Sequence, residues 1–291
     1  MNYQIISDSS CDLTKEFEAA HQVEIVPFYV SFDEEHYYKE RLEVNHDDFY
    51  SKMIEEKSFP KTSLPSIQDY TEVFEKYASK GLPMICTCIS AKFSGSYQSA
   101  LNAKDIVLET YPDAKITVID STLNTVELGL LVKEIVRMRD NGVSYEDSIL
   151  HIERIKPTGR IIFTTGDMAY LKHGGRIGKL LKFASGTLGI KPLIIMKEGE
   201  IFPAGITRSR NKSKTKLLDL AKDFFSDKDI NDYEIAIGTG IDYEEAEEFR
   251  KSVEAALNLD RTLAIEIIGV TVGTHTGPHP IGMGLLKRYD S

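Results

Sequence analysis

Apolar residues gather in four short runs in the first half of the chain, Tyr3 to Ser7, Val23 to Ser31, Met84 to Ile89 and Ile116 to Ile119, and each run reads as a β-strand. Between and after them the apolar spacing changes to three and four. "HDDFYSKMIEEK", "SIQDYTEVFEKYASKG", "SYQSALNAKDIVLETY" and "NTVELGLLVKEIVRMRDNG" carry this helical period, and two of them close on glycine, the residue favoured just past a last turn. Strands alternating with helices predict a parallel sheet with right-handed crossovers. From Gly159 the texture changes. "GRIIFTTG", "KPLIIMKEGEIFPAGIT", "YEIAIGTG" and "TLAIEIIGVTVG" read as strands, with only two further long helices among them. The "KEGE" stretch is a hairpin signal, so this half is expected to be more antiparallel. The expected fold class is α/β: a parallel-sheet domain over 1–157 and a second α/β domain with a mixed, largely antiparallel sheet over 158–291. The boundary falls near "IKPTG", and the final segment is expected to return to the domain interface.

The ends of the first-half strands carry candidate chemistry. They finish in small hydroxyl or acidic residues: "IISDSS" (Asp8, Ser9, Ser10), "CISAKFSGS" (Ser90, Ser94, Ser96) and "VIDST" (Asp120, Ser121, Thr122). In an open parallel sheet, ligands bind beyond the carboxyl ends of the strands. Hydroxyls and backbone N–H groups recognise a carboxylate or phosphate without a full positive charge. The junction at Ser94-Gly95-Ser96 also opens a helix, whose first N–H groups lack partners and attract either an anion or an ordinary N-cap hydroxyl. Two glycine-bearing segments stand out further along. "AYLKHGGRIGK" sets Gly174 and Gly175 before Arg176, and "VGTHTGPHPIGMG" sets His275 between glycines, which predicts a tight turn and an exposed functional role. Neither matches the phosphate loop of nucleotide kinases, because Leu180 follows Lys179 where a Ser or Thr is needed.

Composition narrows the function classes. A net charge of −10 with no long Lys/Arg block argues against a general nucleic-acid partner. Three cysteines, two of them in "CTC", make neither a disulfide framework nor a Cys-x2-Cys metal pair, so a reducing cytoplasm and no metal are expected. The first residues enter a strand without the basic and apolar regions of a signal peptide. No later stretch approaches the ~18 apolar residues of a transmembrane segment.

With those segments assembled, the chain resembles the DegV family of bacterial fatty-acid-binding proteins. "DSSCDL", "KTSLPS", "ISAKFSGSYQSA", "VIDST", "LKHGGRIGK", "GIKPLI", "TRSR" and "GTHTGP" occur in family order along nearly the whole chain. The resemblance implies a Rossmann-like domain joined to a second α/β domain, with the ligand between and beneath them. It also implies that Ser94 and Thr62 hold a fatty acid carboxylate, with backbone N–H groups at Gly95 and Ser96 assisting and His275 on the far side of the headgroup. No catalytic residue and no cofactor beyond the bound fatty acid are implied. Family members act with a separate fatty acid kinase, which phosphorylates the bound carboxylate, and the acyl phosphate passes to an acyltransferase for phospholipid synthesis. Arg176, Arg208 and Arg210 are then candidate contacts for phosphate or kinase. His279 and Pro280 depart from the small residues expected after "HTGP" and are expected to stiffen the turn and set a second imidazole beside His275.

The rival reading is a serine hydrolase or esterase using Ser94, His275 and an Asp. It lacks the G-x-S-x-G elbow that strains a nucleophilic serine. A protein-recognition adaptor rests on the acidic charge alone.

Overall fold

The computed structural model describes residues 2–183 and 190–291. The first half runs β1 (Gln4–Asp8), α1 (Lys15–His21), β2 (Val23–Val26), β3 (Tyr29–Ser31), β4 (Tyr38–Lys39), α2 (His46–Glu55), β5 (Lys61–Ser63) and α3 (Ile67–Ala78). It continues through β6 (Met84–Cys88), α4 (Ser96–Thr110), β7 (Ile116–Asp120), α5 (Thr125–Asp140) and α6 (Tyr145–Ile155). Four strands pair in parallel in the order β2-β1-β6-β7. Helices cover both faces of this sheet, so β1 and β6 are buried along their whole length. Successive side chains go to opposite layers: Ile5 packs toward α5, and Ile6 packs with Tyr70 and Phe74 of α3 and Ala100 of α4.

The expected strand from Val23 to Ser31 is two strands. Pro27 has no N–H to give a ladder, and the chain leaves the parallel sheet there. β3 then pairs antiparallel with β4 and β5 in a separate small sheet. Local capping sets where the helices begin. Ser66 and Asp69 form a reciprocal capping box at α3, and Asn45 caps α2 by accepting from Asp48 N–H.

The second half runs β8 (Arg160–Thr164), α7 (Ala169–His173), β9 (Lys191–Lys197), β10 (Glu200–Thr207), α8 (Arg210–Phe224), β11 (Tyr233–Thr239), α9 (Tyr243–Ala256), β12 (Ala264–Ile267), α10 (Val270–Thr276) and β13 (Ile281–Lys287). Its strands form one sheet, β10-β9-β8-β13-β11-β12, antiparallel except for β11 with β12. The "KEGE" hairpin is present. Glu198 and Gly199 both have positive φ, 53° and 78°, the mirror-type two-residue turn that suits the twist of its strands. The first glycine of "GIKPLI" lies outside the described residues.

"TLAIEIIGVTVG" is not a single strand. β12 stops at Ile267, and Val270–Thr276 is helical despite its β-branched residues. Contacts from the first half override that propensity: Tyr50 Oη donates to Ile268 O (3.0 Å), and the Thr271 N–H and hydroxyl both donate to the Glu40 carboxylate (3.0 and 2.6 Å). His275 therefore sits in the last turn of a short helix. α5 joins the two sheets. Its residues are buried almost all round, and the core cluster that includes Leu128 and Leu131 runs from Ile5 and Ile85 of the first sheet to Ala236 and Leu286 of the second.

Candidate ligand-binding site

The carboxyl ends of β1, β6 and β7 meet at one edge, where two acids hold the connecting loops. Asp8 is buried and accepts from Ser10 N–H (3.3 Å) and Oγ (2.5 Å), Ile89 N–H (2.9 Å) and Ser96 Oγ (2.7 Å). Burial raises its pKa above the usual carboxylate range, although these bonds to the charged form pull it down. Asp120 accepts from Ala91 N–H (3.1 Å) and Thr122 N–H (3.0 Å). Both carboxylates brace the Ser90–Ser96 loop from beneath.

Ser96 belongs to that brace. Its hydroxyl bonds Asp8 and Tyr70 Oη (2.7 Å), its N–H donates to Ser94 Oγ (3.2 Å), and its side chain is fully buried away from open space. Gly95, the N-cap of α4, contributes no side-chain cap, so Ser94 supplies the acceptor from one residue earlier. Ser94 Oγ thus receives a hydrogen bond and keeps its own proton free for an acceptor.

Beside Ser94 opens a cavity of about 220 Å³ between the two sheets. Apolar cavities of roughly 150 Å³ already admit benzene, so this one is of ligand size rather than a packing gap. Phe93, Ile161, Phe163, Met196, Val272 and Met283 supply much of its wall, drawn from both halves of the chain. Thr62, Ser94, Gly95, Arg176 and His275 also line it. Nothing in the spacing of the apolar residues marks them as wall, because β8, β9 and β13 read the same whether they face a core or a ligand.

His275 Nε2 lies 3.2 Å from Thr62 Oγ1, joining α10 to β5 across 213 residues of sequence. Its Nδ1 is buried without a hydrogen-bond partner. The imidazole is neutral: burial, reinforced by the nearby charges of Arg176 and Lys61, pushes its pKa down to about 3. It is therefore neither on a tight turn nor exposed. In the tautomer with the proton on Nε2, His275 donates to Thr62 and leaves the threonine hydroxyl free to donate onward, as Ser94 does. Two hydroxyl protons facing one space suit a carboxylate oxygen.

Arg176 is at the rim, where Nε donates to Phe93 O (3.2 Å) and Nη1 to Gly174 O (2.6 Å). Arg208 is exposed and does not line the cavity. Arg210 is engaged elsewhere: Nε and Nη2 fork onto Glu245 (3.0 and 2.7 Å), and Nη1 donates to His279 O (2.8 Å). Pro280 lines the cavity, but the second imidazole expected beside His275 is not there, because His279 is exposed and its Nδ1 meets Asp242 at 2.9 Å. A hydrolase reading finds no hydrogen-bonded Ser–His pair among the described residues. His275 bonds Thr62, Ser94 bonds Ser96 N–H, and Asp8 bonds Ser10, Ile89 and Ser96.

The fold and site define an α/β protein in which a parallel and a mixed sheet enclose an apolar cavity with hydroxyl donors at one end. The chain belongs to the DegV family. The family model described as "Uncharacterised protein, DegV family" matches residues 2–288. A DegV domain-containing protein of Clostridium acetobutylicum is 31% identical over 97% of each chain. A stearic acid-binding protein of Eubacterium ventriosum is 46% identical, covers 99% of both chains and superposes with a TM-score of 0.95. DegV of Bacillus subtilis, described as a fatty acid binding protein, is 25% identical over 99% of both chains with a TM-score of 0.84.

Proposed function

We propose that the protein binds a long-chain fatty acid, with its carboxylate on Thr62 and Ser94 and its tail in the apolar cavity. The observation that carries this reading is the pairing of an apolar, ligand-sized cavity with two hydroxyl donors, backed by a neutral imidazole, at one end. The stearic acid bound by the Eubacterium ventriosum protein, in the same fold at 46% identity, supports it.

Burying about fifteen methylenes at roughly 0.8 kcal/mol each is worth on the order of 12 kcal/mol gross, so such a tail needs an enclosing carrier. The protein acts in the cytoplasm as the acyl-carrying partner of a separate fatty acid kinase, and the acyl phosphate it carries passes to an acyltransferase for phospholipid synthesis. A largely apolar cavity suits that cargo, because an acyl phosphate is an activated anhydride and limiting its contact with water slows hydrolysis. Arg176, at the rim with donors to spare, meets the kinase or the new phosphate.

Native mass spectrometry of protein purified from cells tests the ligand, and a co-purified fatty acid is the expected result. Acyl phosphate should form only when kinase and ATP are both added. Arg176→Ala should impair that coupled reaction far more than a binding titration, and equal loss in both assays would assign Arg176 to the fatty acid site instead. Absence of any bound or bindable fatty acid would refute the reading.

A further inference from the structure

The start of α10 has no cap of its own, and two acids from the first half of the chain stand there. Gly269 is the N-cap, with extended backbone (φ −69°, ψ 175°) and no side chain to accept from the first turn. Glu40 does so from across the molecule. Its Oε1 accepts from Thr271 N–H (3.0 Å), and its Oε2 accepts from the Thr271 hydroxyl (2.6 Å) and from Ser9 Oγ. Asp12, in the left-handed region (φ 52°) beyond the end of β1, lies beside it. A Cβ on Gly269 would stand 2.5 Å from Asp12 Oδ1 and 2.9 Å from Glu40 Oε1, so two carboxyl oxygens crowd one glycine. Both residues are buried, 6% and 2% exposed.

The two acids are unequally supplied with donors. Glu40 accepts three hydrogen bonds, whereas Asp12 accepts one, from the Thr125 hydroxyl to Oδ2, and its Oδ1 has no partner among the described residues. The neighbouring cations are engaged elsewhere: Arg41 with Glu18 and Leu13 O (2.8 Å), Lys15 with Arg41 O (2.8 Å) and Lys133 with Glu266. Tyr50 donates to Ile268 O (3.0 Å), Cys11 is a buried thiol, and Glu43 and His46 stand in the wall of an outer groove that Asp12 and Glu40 also line. Burial and the neighbouring Glu40 charge push the pKa of Asp12 well above the usual carboxylate range, against the pull of Thr125, the Gly269 N–H and Arg41. Two carboxyl groups this close titrate as a pair, and the one poorer in donors takes the proton.

This corner borders the ligand cavity. Thr125 and Thr271, the donors to Asp12 and Glu40, both line it, and His275 is one turn of α10 beyond Thr271. We propose that Asp12 and Glu40 are positioning residues for the headgroup site: one proton between them seats α10 and its His275 against the first half, and loss of that proton unseats the helix and weakens fatty acid binding. This rests on the fatty acid reading given above. Protonated Asp12 favours the seated helix, so binding weakens as pH rises through its folded-state pKa. The apparent affinity falls with the fraction of molecules in which α10 is seated.

The test is a fluorescent fatty acid titration from about pH 6 to pH 9 on the parent protein, Asp12→Asn and Glu40→Gln. Relative to Asp12→Asn, which is neutral throughout, the parent should lose about tenfold or more in affinity toward the alkaline end. Glu40→Gln leaves a single acid and should flatten the profile in the same way, which keeps the comparison should the asparagine variant not fold. Difference infrared spectra of the unliganded proteins at neutral pH should show a protonated carboxylic acid band in the parent that Asp12→Asn lacks. Parallel pH profiles in the parent and both variants would overturn the proposal, and so would the absence of that band. A parent that binds no fatty acid at any pH fails the fatty acid reading, while the infrared comparison, which needs no ligand, still decides whether the pair holds a proton.

Discussion

Replacing Gly174 by Ala would place a methyl group against the ring of His275. An added Cβ would stand 2.0 Å from Nδ1 and 2.9 Å from Cε1, closer than atoms approach without displacement. The backbone is no obstacle, since Gly174 has φ −72°, so the effect is purely steric. Nδ1 faces the glycine and Nε2 faces Thr62 across the ring, so a ring pushed from Gly174 is driven against Thr62, and the 3.2 Å hydrogen bond is lost as ring or threonine turns aside to relieve the overlap. Losing that bond costs about 1 kcal/mol, and overpacking adds about 1–3 kcal/mol to the loss of stability. Affinity for a long-chain fatty acid should fall by roughly tenfold, because Thr62 is no longer oriented to donate. The assay is a fluorescent fatty acid titration on Gly174→Ala, His275→Ala and the double variant. In the double variant the ring is gone and the methyl meets open space, so the two changes should be strongly non-additive. Unchanged affinity in Gly174→Ala, or simple additivity across the cycle, would refute the argument.

Thr62→Val and Ser94→Ala should each weaken fatty acid binding by about 1–3 kcal/mol with little change in melting temperature, since each removes one hydrogen bond to a charged group without opening a large hole; isothermal titration with parallel thermal melts checks both. Acid should destabilise the unliganded protein through His275, whose folded pKa of about 3 lies below the unfolded value of about 6.5. The unfolded chain then takes up a proton that the folded one refuses, so stability is lost as pH falls through 6.5 toward 3. Between pH 7 and pH 5 the loss should be about 2 kcal/mol, and a His275→Gln variant should show a shallower decline in denaturant midpoint over that range. Gly199→Ala should lower stability by about 1–2 kcal/mol, because its φ of 78° is costly for a side chain and the new Cβ would stand 2.6 Å from Ser90 Oγ; a melting curve identical to that of the parent would contradict this.

The parallel sheet was legible because its strands are continuous apolar runs between well-capped helices, and the "KEGE" hairpin because its turn needs a glycine. The helix Val270–Thr276 was not, since its sequence favours a strand and the partners that hold it, Tyr50 and Glu40 among them, lie more than 200 residues earlier. His275 goes with it, from an expected turn to the last turn of a helix that lines the cavity. Ser96 shows the same limit at the site. A serine at a helix start reads alike whether it meets ligand or scaffold, and here Asp8 and Tyr70, 88 and 26 residues away, engage its hydroxyl. Arg210, without the neighbouring glycines of Arg176, is the weaker candidate in the sequence, and Glu245, 35 residues later, takes its guanidinium.

The loop between β6 and α4 is gripped from the second sheet as well as braced from below. Ser90 Oγ donates to Gly199 O (2.9 Å) and Lys92 Nζ to Glu198 O (3.0 Å) at the hairpin tip, while Arg176 holds Phe93 O (3.2 Å) at the rim. Ser94 rides on this loop between those fastenings. Parting the sheets to widen the cavity therefore pulls on the same few residues that position Ser94, the proposed headgroup donor. Entry and exit of a ligand are then coupled in time to the making and breaking of its polar site, which favours a long residence over rapid exchange.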